Sequence, residues 1–314
     1  MRAVIGLIAM LALHGPAFAA DRITVVASFS ILGDMARQVG GEYVDVVTLV
    51  GPDGDVHLYE PSPADVRTLA DARMLIFNGL GLEGWLPRLV EASGFGGIQI
   101  TASDGIVPLQ GEGAEDEHHA DDVHTEGQPR EDGEHHHGAF DPHAWQDLAN
   151  GVIYVCNIAD ALAKADPDHA ETYQARAAAY SSRLSALHEK LKADFAAIAA
   201  SRRKIVTSHD AFGYFGQAYG IAFIAPEGVS TESEASARDV ARIIDQIRAE
   251  KLAAVFVENI SDERLIRQIA RETDAKIGGR LYSDALSGEN GPAPDYVSMF
   301  EYNASQLLSA LTGS

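Results

Sequence analysis

Short β-rich apolar runs alternate with stretches of helical spacing on both sides of one long helical segment. That alternation restricts the chain to a parallel α/β architecture. ITVVASFS (23–30), VDVVTLV (44–50), ARMLIFNG (72–79) and GIQI (97–100) have strand length and are bounded by Gly, Asp or Pro. ILGDMARQVG and SPADVRTLADA, between them, place their apolar residues at helical spacing. The pattern returns later, with KIVTSH (204–209), IAFIAP (221–226), AAVFVEN (253–259) and AKIGGRLYS (275–283) as strands. Its helices are SARDVARIIDQIRAEK, DERLIRQIARETD and PDYVSMFEYNASQLLSALT. Strand–helix alternation predicts a parallel sheet with helices on both faces.

AWQDLANGVIYVCNIADALAKAD is also helical, and Pro167 restarts the chain into a second helix reaching about Ala200. In it Tyr173, Ala177, Tyr180, Leu184, Leu187, Leu191, Phe195 and Ile198 step by three or four and form one apolar stripe. At 1.5 Å per residue it would run roughly 50 Å, the length of a rigid connector. The expected architecture is two α/β lobes with parallel sheets, residues 21–148 and 202–314, joined by linking helices over 149–201. His169 and His188, on the long helix, read as solvated surface residues. Cys156 is the only cysteine, which excludes an intramolecular disulfide, and its apolar surroundings predict a buried small hydrophobe.

MRAVIGLIAMLALHGPAFAA (1–20) reads as a cleaved secretory signal: Arg2, an apolar stretch over 4–13, and the A-x-A site Ala17-Phe18-Ala19. The apolar run is too short to span a bilayer. No cysteine follows it, so the expectation is a periplasmic protein with no lipid anchor and no membrane span. The formal net charge of -22 argues against nucleic acid and favours a cationic ligand. Residues 111–138 hold six histidines and ten carboxylates but only Val123 as a sizeable apolar residue, and they predict a disordered loop. Its histidines, His118, His119, His124, His135, His136 and His137, are candidate auxiliary metal ligands, against the plainer reading of a solvated acidic spacer.

Three histidines and one aspartate carry the chemistry: His57 in DVHLYEPSP, His143 in FDPHAWQDLAN, His209 in TSHDAFGYFG and Asp284 in LYSDALSG. His209 and Asp284 stand at the C-terminal ends of predicted strands and His57 in the loop after one, where open parallel sheets bind ligands. Facing lobes would bring His57 and His143 from one side of a cleft and His209 and Asp284 from the other. Three imidazoles and a carboxylate make a closed tetrahedral set suited to Zn²⁺, with no position left for a catalytic water. Each residue also has a plainer reading: a hydrogen-bonded histidine beside a strand, or an aspartate capping a turn. Asp141 with Pro142 reads as the N-cap and first position of a helix. Glu258, at the end of AAVFVEN, is either an outer carboxylate orienting a ligand imidazole or a cap. Glu60 and Asp210 neighbour ligands in sequence and are further outer-shell candidates, ranked below Glu258 because neighbouring residues on extended chain point to opposite faces.

These motifs resemble the zinc-binding periplasmic proteins of bacterial ABC importers, a group that includes manganese-binding relatives. D-x-H-x-Y/F-x-P-x-P matches Asp55, His57, Tyr59, Pro61 and Pro63. D-P-H with a Trp-containing helix start matches Asp141 to Trp145, H-D-A-F-x-Y-F matches His209 to Phe215, and S-D-x-L matches Ser283 to Leu286. SEASARDVARIIDQIRAEKLAAVFVEN resembles the family's strand-and-helix unit ahead of Glu258. The resemblance covers nearly the whole mature chain. It implies a long backbone helix, a metal cleft between lobes with His57, His143, His209 and Asp284 as ligands, and delivery to an ABC permease of the inner membrane. It also favours zinc, because manganese-type relatives replace one histidine by a carboxylate and generally lack a histidine-rich loop. A monomer and a periplasmic zinc donor complete the expected partners.

Two rival readings stand beside capture and import. A zinc hydrolase would need an open three-ligand site and a general base, and neither H-E-x-x-H nor G-x-S-x-G occurs. A zinc buffer or chaperone would work mainly through residues 111–138. Within the import reading, Asp284 is expected to be the most mobile ligand, because a carboxylate on a turn can leave without moving a strand.

Overall fold

The structure is a computed structural model that describes residues 22–111, 140–233, 235–250, 252, 254–273 and 275–313. The signal-like segment 1–20 and the six histidines of the 111–138 stretch lie outside the described residues. Two four-stranded parallel sheets form. The first contains β1 (Ile23–Phe29), β2 (Val44–Val50), β3 (Met74–Phe77) and β4 (Ile98–Thr101) in the order β2-β1-β3-β4. The second contains β5 (Lys204–Val206), β6 (Ala222–Ile224), β7 (Ala254–Glu258) and β8 (Lys276–Leu281) in the order β6-β5-β7-β8. Each sheet therefore reverses its strand order once, between β1 and β3 and between β5 and β7. Such switch points leave a crevice at the carboxyl ends of the strands.

The helices are α1 (Ser30–Gly40), α2 (Pro63–Ala70), α3 (Leu86–Ser93), α4 (Leu148–Ala165), α5 (Ala170–Ala196), α6 (Gly213–Tyr219), α7 (Ala237–Glu250), α8 (Glu263–Thr273) and α9 (Tyr296–Thr312). Helix α5 is the long connector, 27 residues and so about 40 Å. It is shorter than the sequence suggests, because Pro167–His169 forms a separate 3-10 turn before it. Its buried residues are Tyr173, Ala177, Tyr180, Leu184, Leu187, Leu191 and Phe195, the stripe read from the sequence. It packs on α1 and α4 toward the first sheet and on α6 and α9 toward the second. One apolar core accordingly runs through both lobes, from Phe29 and Trp145 through Leu184 to Phe215 and Phe300. A smaller separate core lies under α7 and α8, built from Ile243, Ile247, Val255, Val257, Ile266 and Ile269.

Three sequence expectations are corrected here. Cys156 is exposed: α4 turns Tyr154, Val155, Ile158, Ala159 and Leu162 inward, and position 156 falls off that stripe. His169 is not simply solvated, since its ring stacks on Tyr43 at 3.8 Å and its Nδ1 lies 2.7 Å from Asp166 Oδ2. His188 likewise packs against Tyr219, with Nδ1 3.2 Å from the hydroxyl. Two short helices, α3 and α6, escaped the sequence reading.

Gly151 of α4 faces the fully buried ring of Tyr296, whose hydroxyl donates to the Trp145 carbonyl. A Cβ at 151 would stand 2.7 Å from that hydroxyl oxygen. Helix propensity alone would make Gly151→Ala stabilising by up to about 1 kcal/mol. Overpacking reverses the sign, and a net loss of about 1–3 kcal/mol is expected in chemical denaturation. A variant as stable as the parent would show that the α4–α9 contact is slack.

Candidate metal centre

His57, His143, His209 and Asp284 converge, each offering one ligand atom, with these atoms all within 4.8 Å of one another. Four connections bring them there. His57 follows β2 by seven residues. His143 precedes the 3-10 turn Ala144–Gln146 that leads into α4. His209 and Asp284 each lie three residues beyond a strand, β5 and β8, because both strands end earlier than the sequence suggested. His209 and Glu258 therefore flank the switch point of the second sheet, one after β5 and one closing β7.

The cage is tight and dry. His143, His209 and Asp284 are fully buried, and His57 is 8% exposed. Nε2 of His57 and Nε2 of His209 each lie 3.2 Å from Asp284 Oδ2. Nε2 of His143 lies 3.6 Å from Asp284 Oδ1 and 3.4 Å from His57 Nε2. Beyond these contacts with one another, His209 Nε2 and both Asp284 oxygens are buried without a hydrogen-bond partner among the described residues. Buried polar atoms left unpaired are costly, so convergent ones fit a cation that would satisfy them together.

The opposite edge of two rings is held by carboxylates. Asp141 Oδ1 accepts from the His143 backbone N–H at 2.9 Å and lies 2.7 Å from His143 Nδ1. Since a carboxylate only accepts, the proton sits on Nδ1 and Nε2 is left to ligate. Glu258, 1% exposed, does the same for His209. Its Oε1 accepts from the Ser208 and His209 backbone N–H groups at 2.8 and 2.9 Å, and its Oε2 stands 2.7 Å from His209 Nδ1. Of the two sequence readings of Glu258, the orienting carboxylate fits this geometry.

Asp141 is a correction. It does not begin the helix: Asp147 caps α4 by accepting from Ala149 N–H, and Asp141 turns back on His143 instead. The first lobe repeats the device at Asp55, whose Oδ1 accepts from His57 N–H at 2.8 Å. Two D-x-H triplets in the sequence were the available signal. The other Asp55 oxygen accepts from Thr231 Oγ1 at 2.7 Å across the cleft. There a cavity of about 590 Å³ opens beside Asp55 and Leu58, lined also by Glu227, Asp262 and Arg264. Glu60 is exposed, and Asp210 bonds through its own N–H to Gly228 O.

Charge compensation is strong. Burial opposes protonation of His143, but the charges and hydrogen bonds of Asp284 and Asp141 outweigh it and push the imidazole up to about 9. Burial likewise opposes a charged His209, yet Glu258 and Asp284 raise it well above the usual imidazole range. Burial works against ionised Asp284 too, and His143 and His209 nevertheless hold it well below the ordinary carboxylate value. Without a metal, protons take the cation's place in this cage.

Comparison with known proteins shows the family. A family described as zinc-uptake complex component A, periplasmic, matches residues 25–310. The iron-binding protein YfeA of Yersinia pestis is 34% identical over 292 residues, covering 93% of this chain and 87% of that protein. The manganese-binding lipoprotein MntA of Halalkalibacterium halodurans is 32% identical over 293 residues, covering 93% and 89%. The solved periplasmic zinc binding protein TroA from Treponema pallidum has a TM-score of 0.82 at 28% identity, covering 92% of this chain and 99% of that one. Several relatives are named lipoproteins, at odds with the expectation of no lipid anchor, which rests on residues outside those described. No helix among the described residues is long and apolar enough to cross a membrane. The chain belongs to the zinc-uptake complex component A family, the periplasmic metal-binding proteins of ABC transporters, which is not a family of enzymes.

Proposed function

We propose that this protein captures Zn²⁺ in the periplasm and hands it to an ABC permease for import, with His57, His143, His209 and Asp284 as its ligands. The donor set carries the choice of metal: three imidazoles and one carboxylate suit a borderline-soft ion. Their ligand atoms lie within 4.8 Å of one another, with the closest edges of the cage at 3.2–3.6 Å. A tetrahedral ion with bonds of roughly 2.0–2.1 Å separates its ligands by about 3.3 Å. Three imidazoles and one carboxylate leave the bound ion a net charge near +1 and no open position for water. The histidines of the 111–138 stretch gather zinc more loosely and pass it to the cage. The protein acts as a monomer and accepts metal from a periplasmic donor or from solution.

A second reading has its own support. Both oxygens of Asp284 face imidazoles, Oδ2 toward His57 and His209 and Oδ1 toward His143. A bidentate carboxylate would raise the coordination number to five, which harder ions accept, and relatives are named for manganese and iron. Chelator competition with Zn²⁺, Mn²⁺ and Fe²⁺, on the protein with and without residues 112–139, separates the readings. One tight zinc site that survives the deletion, with the other ions far weaker, is expected. Mn²⁺ or Fe²⁺ binding as tightly as Zn²⁺ would sink the choice of zinc, and loss of tight binding on deletion would move the function to the histidine-rich stretch.

The orienting carboxylates should be felt in affinity. Glu258→Gln and Asp141→Asn keep shape but weaken the pull on the Nδ1 proton, and each should weaken zinc binding about 10–100-fold. An unchanged affinity in either variant removes that carboxylate from the site.

The pH dependence has a definite sign. The free imidazole titrates near about 6.5 in an unfolded chain, and His143 in the metal-free fold near about 9. Its protonated contact with Asp284 and Asp141 therefore stabilises the metal-free fold fully below about 6.5, and that contribution is lost as pH rises through about 9. Zinc competes with the same proton. The rise in melting temperature on adding zinc, at fixed free zinc, should grow steadily between about pH 6.5 and 9. A shift that is flat across this window would mean that His143 already ligates from a neutral state.

A further inference from the structure

The carboxylate ligand is supported differently from the imidazoles. Apart from the three ligand imidazoles, neither Asp284 oxygen has a hydrogen-bond partner among the described residues, so outside the cage it is the backbone that aims this side chain. Up to Tyr282 the backbone is held by the second lobe, where Asn303 brackets it: Tyr282 N–H donates to Asn303 Oδ1 at 2.9 Å and Asn303 Nδ2 donates to Tyr282 O at 2.8 Å. Between Ser283 and Leu286 most donors and acceptors belong to the first lobe. Trp145 Nε1 and Gln146 Nε2 both donate to Ser283 O, at 3.0 and 2.6 Å. Leu286 N–H donates to Ser30 Oγ at 2.9 Å, and Asp53 N–H donates to Leu286 O at 2.9 Å. Asn259 is the second lobe's contribution, donating to Ala285 O at 3.2 Å.

We infer that Trp145 and Gln146 are positioning residues for Asp284. They lie two and three residues after His143 and are fully buried. The turn that carries one nitrogen ligand thus grips the peptide adjoining the oxygen ligand. His143 and Asp284 become a fixed pair although they come from different lobes. Gln146 makes this bond while its own Oε1 is buried unpaired, a cost that an apolar residue of similar shape would avoid. The clamp also reverses the expectation that Asp284 is the ligand readiest to leave. His209 is the freer one: its backbone N–H goes to Glu258 and its carbonyl to Thr207 Oγ1 and Ala211 N–H, all within the second lobe. A first-lobe tie comes five residues on at Tyr214, whose hydroxyl donates to Asp141 O and accepts from Leu109 N–H.

The inference rests on the four residues being metal ligands, and Co²⁺ as a spectroscopic probe tests both separately. The visible ligand-field bands of bound Co²⁺ report the number and geometry of its ligands. Asp284→Ala gives the spectrum of the cage without its carboxylate. Gln146→Met, close in shape and lacking the donor, should shift the Co²⁺ bands toward that reference. It should also speed Zn²⁺ release into excess chelator about 10-fold or more, with the melting temperature of the metal-free protein nearly unchanged. Trp145→Phe, which leaves the Gln146 bond in place, should give a smaller shift of the same sign, and it decides the matter if Gln146→Met does not fold. Parental spectra and release rates in the variants overturn the clamp while leaving the ligand set intact. Faster release with an unchanged spectrum and a fall in melting temperature marks a merely structural role and also overturns it. A parent protein that takes up no Co²⁺ at this cage removes the ligand reading and the clamp together.

Discussion

Burying three imidazoles beside one carboxylate is made tolerable here by carboxylates on the far side of two of the rings, His143 and His209. Glu258 supplies the clearest case, since one buried carboxylate satisfies two backbone N–H groups and faces the His209 ring. Because carboxylates only accept, their contacts fix the protonated nitrogen as Nδ1 and turn Nε2 inward. The rest of the molecule can be seen as the scaffold that delivers these contacts. Both sheets place their switch points on the cleft. The β5–β7 switch point puts Glu258 next to His209, where neither could reach the other from adjacent positions in one strand.

The two lobes are less independent than a pair of α/β units joined by a linker. Helix α5 contributes to a core that continues from Phe29 and Leu148 to Phe215, Tyr296 and Phe300. The layer of α7 and α8 has a separate core, as does the layer of α2 and α3 around Leu69, Leu75, Leu86 and Leu89. Large hinge closure would have to break apolar packing along the connector, so metal exchange in this molecule calls for local rearrangement near the cage. The thin polar bridges at the rim, Thr231 to Asp55 and Asn259 to Asp53, are the contacts cheapest to break.

The sequence made the strands, the long helix and the four converging residues legible because their signals are local: apolar period, strand length, short motifs. The stripe from Tyr173 to Phe195 is legible for the same reason. What it hid depends on phase and on distant partners. Cys156 sits in an apolar run, but one position off the buried face. Asp141 carries a helix-cap signature, yet its oxygen is taken by the residue two positions on. Helices α3 and α6 are only 8 and 7 residues long, too short for a periodic pattern to stand out. The hold of Trp145 and Gln146 on Ser283 spans about 138 residues of chain, and no local pattern announces it.

One small feature of the backbone bears on how this protein can vary. Gln110 and Phe140 form an isolated antiparallel bridge, and Asp141 N–H donates to Leu109 O at 2.9 Å. The chain is thus pinched shut immediately before the turn that holds His143. The entropy of closing a chain between two points fixed in this way grows slowly with its length, by about 0.6 kcal/mol for each doubling. The length of chain between the two sides of the pinch can change while the turn that holds His143 keeps its anchor at Leu109. Here selection, or an engineer, can write new sequence beside a metal centre without editing the centre itself.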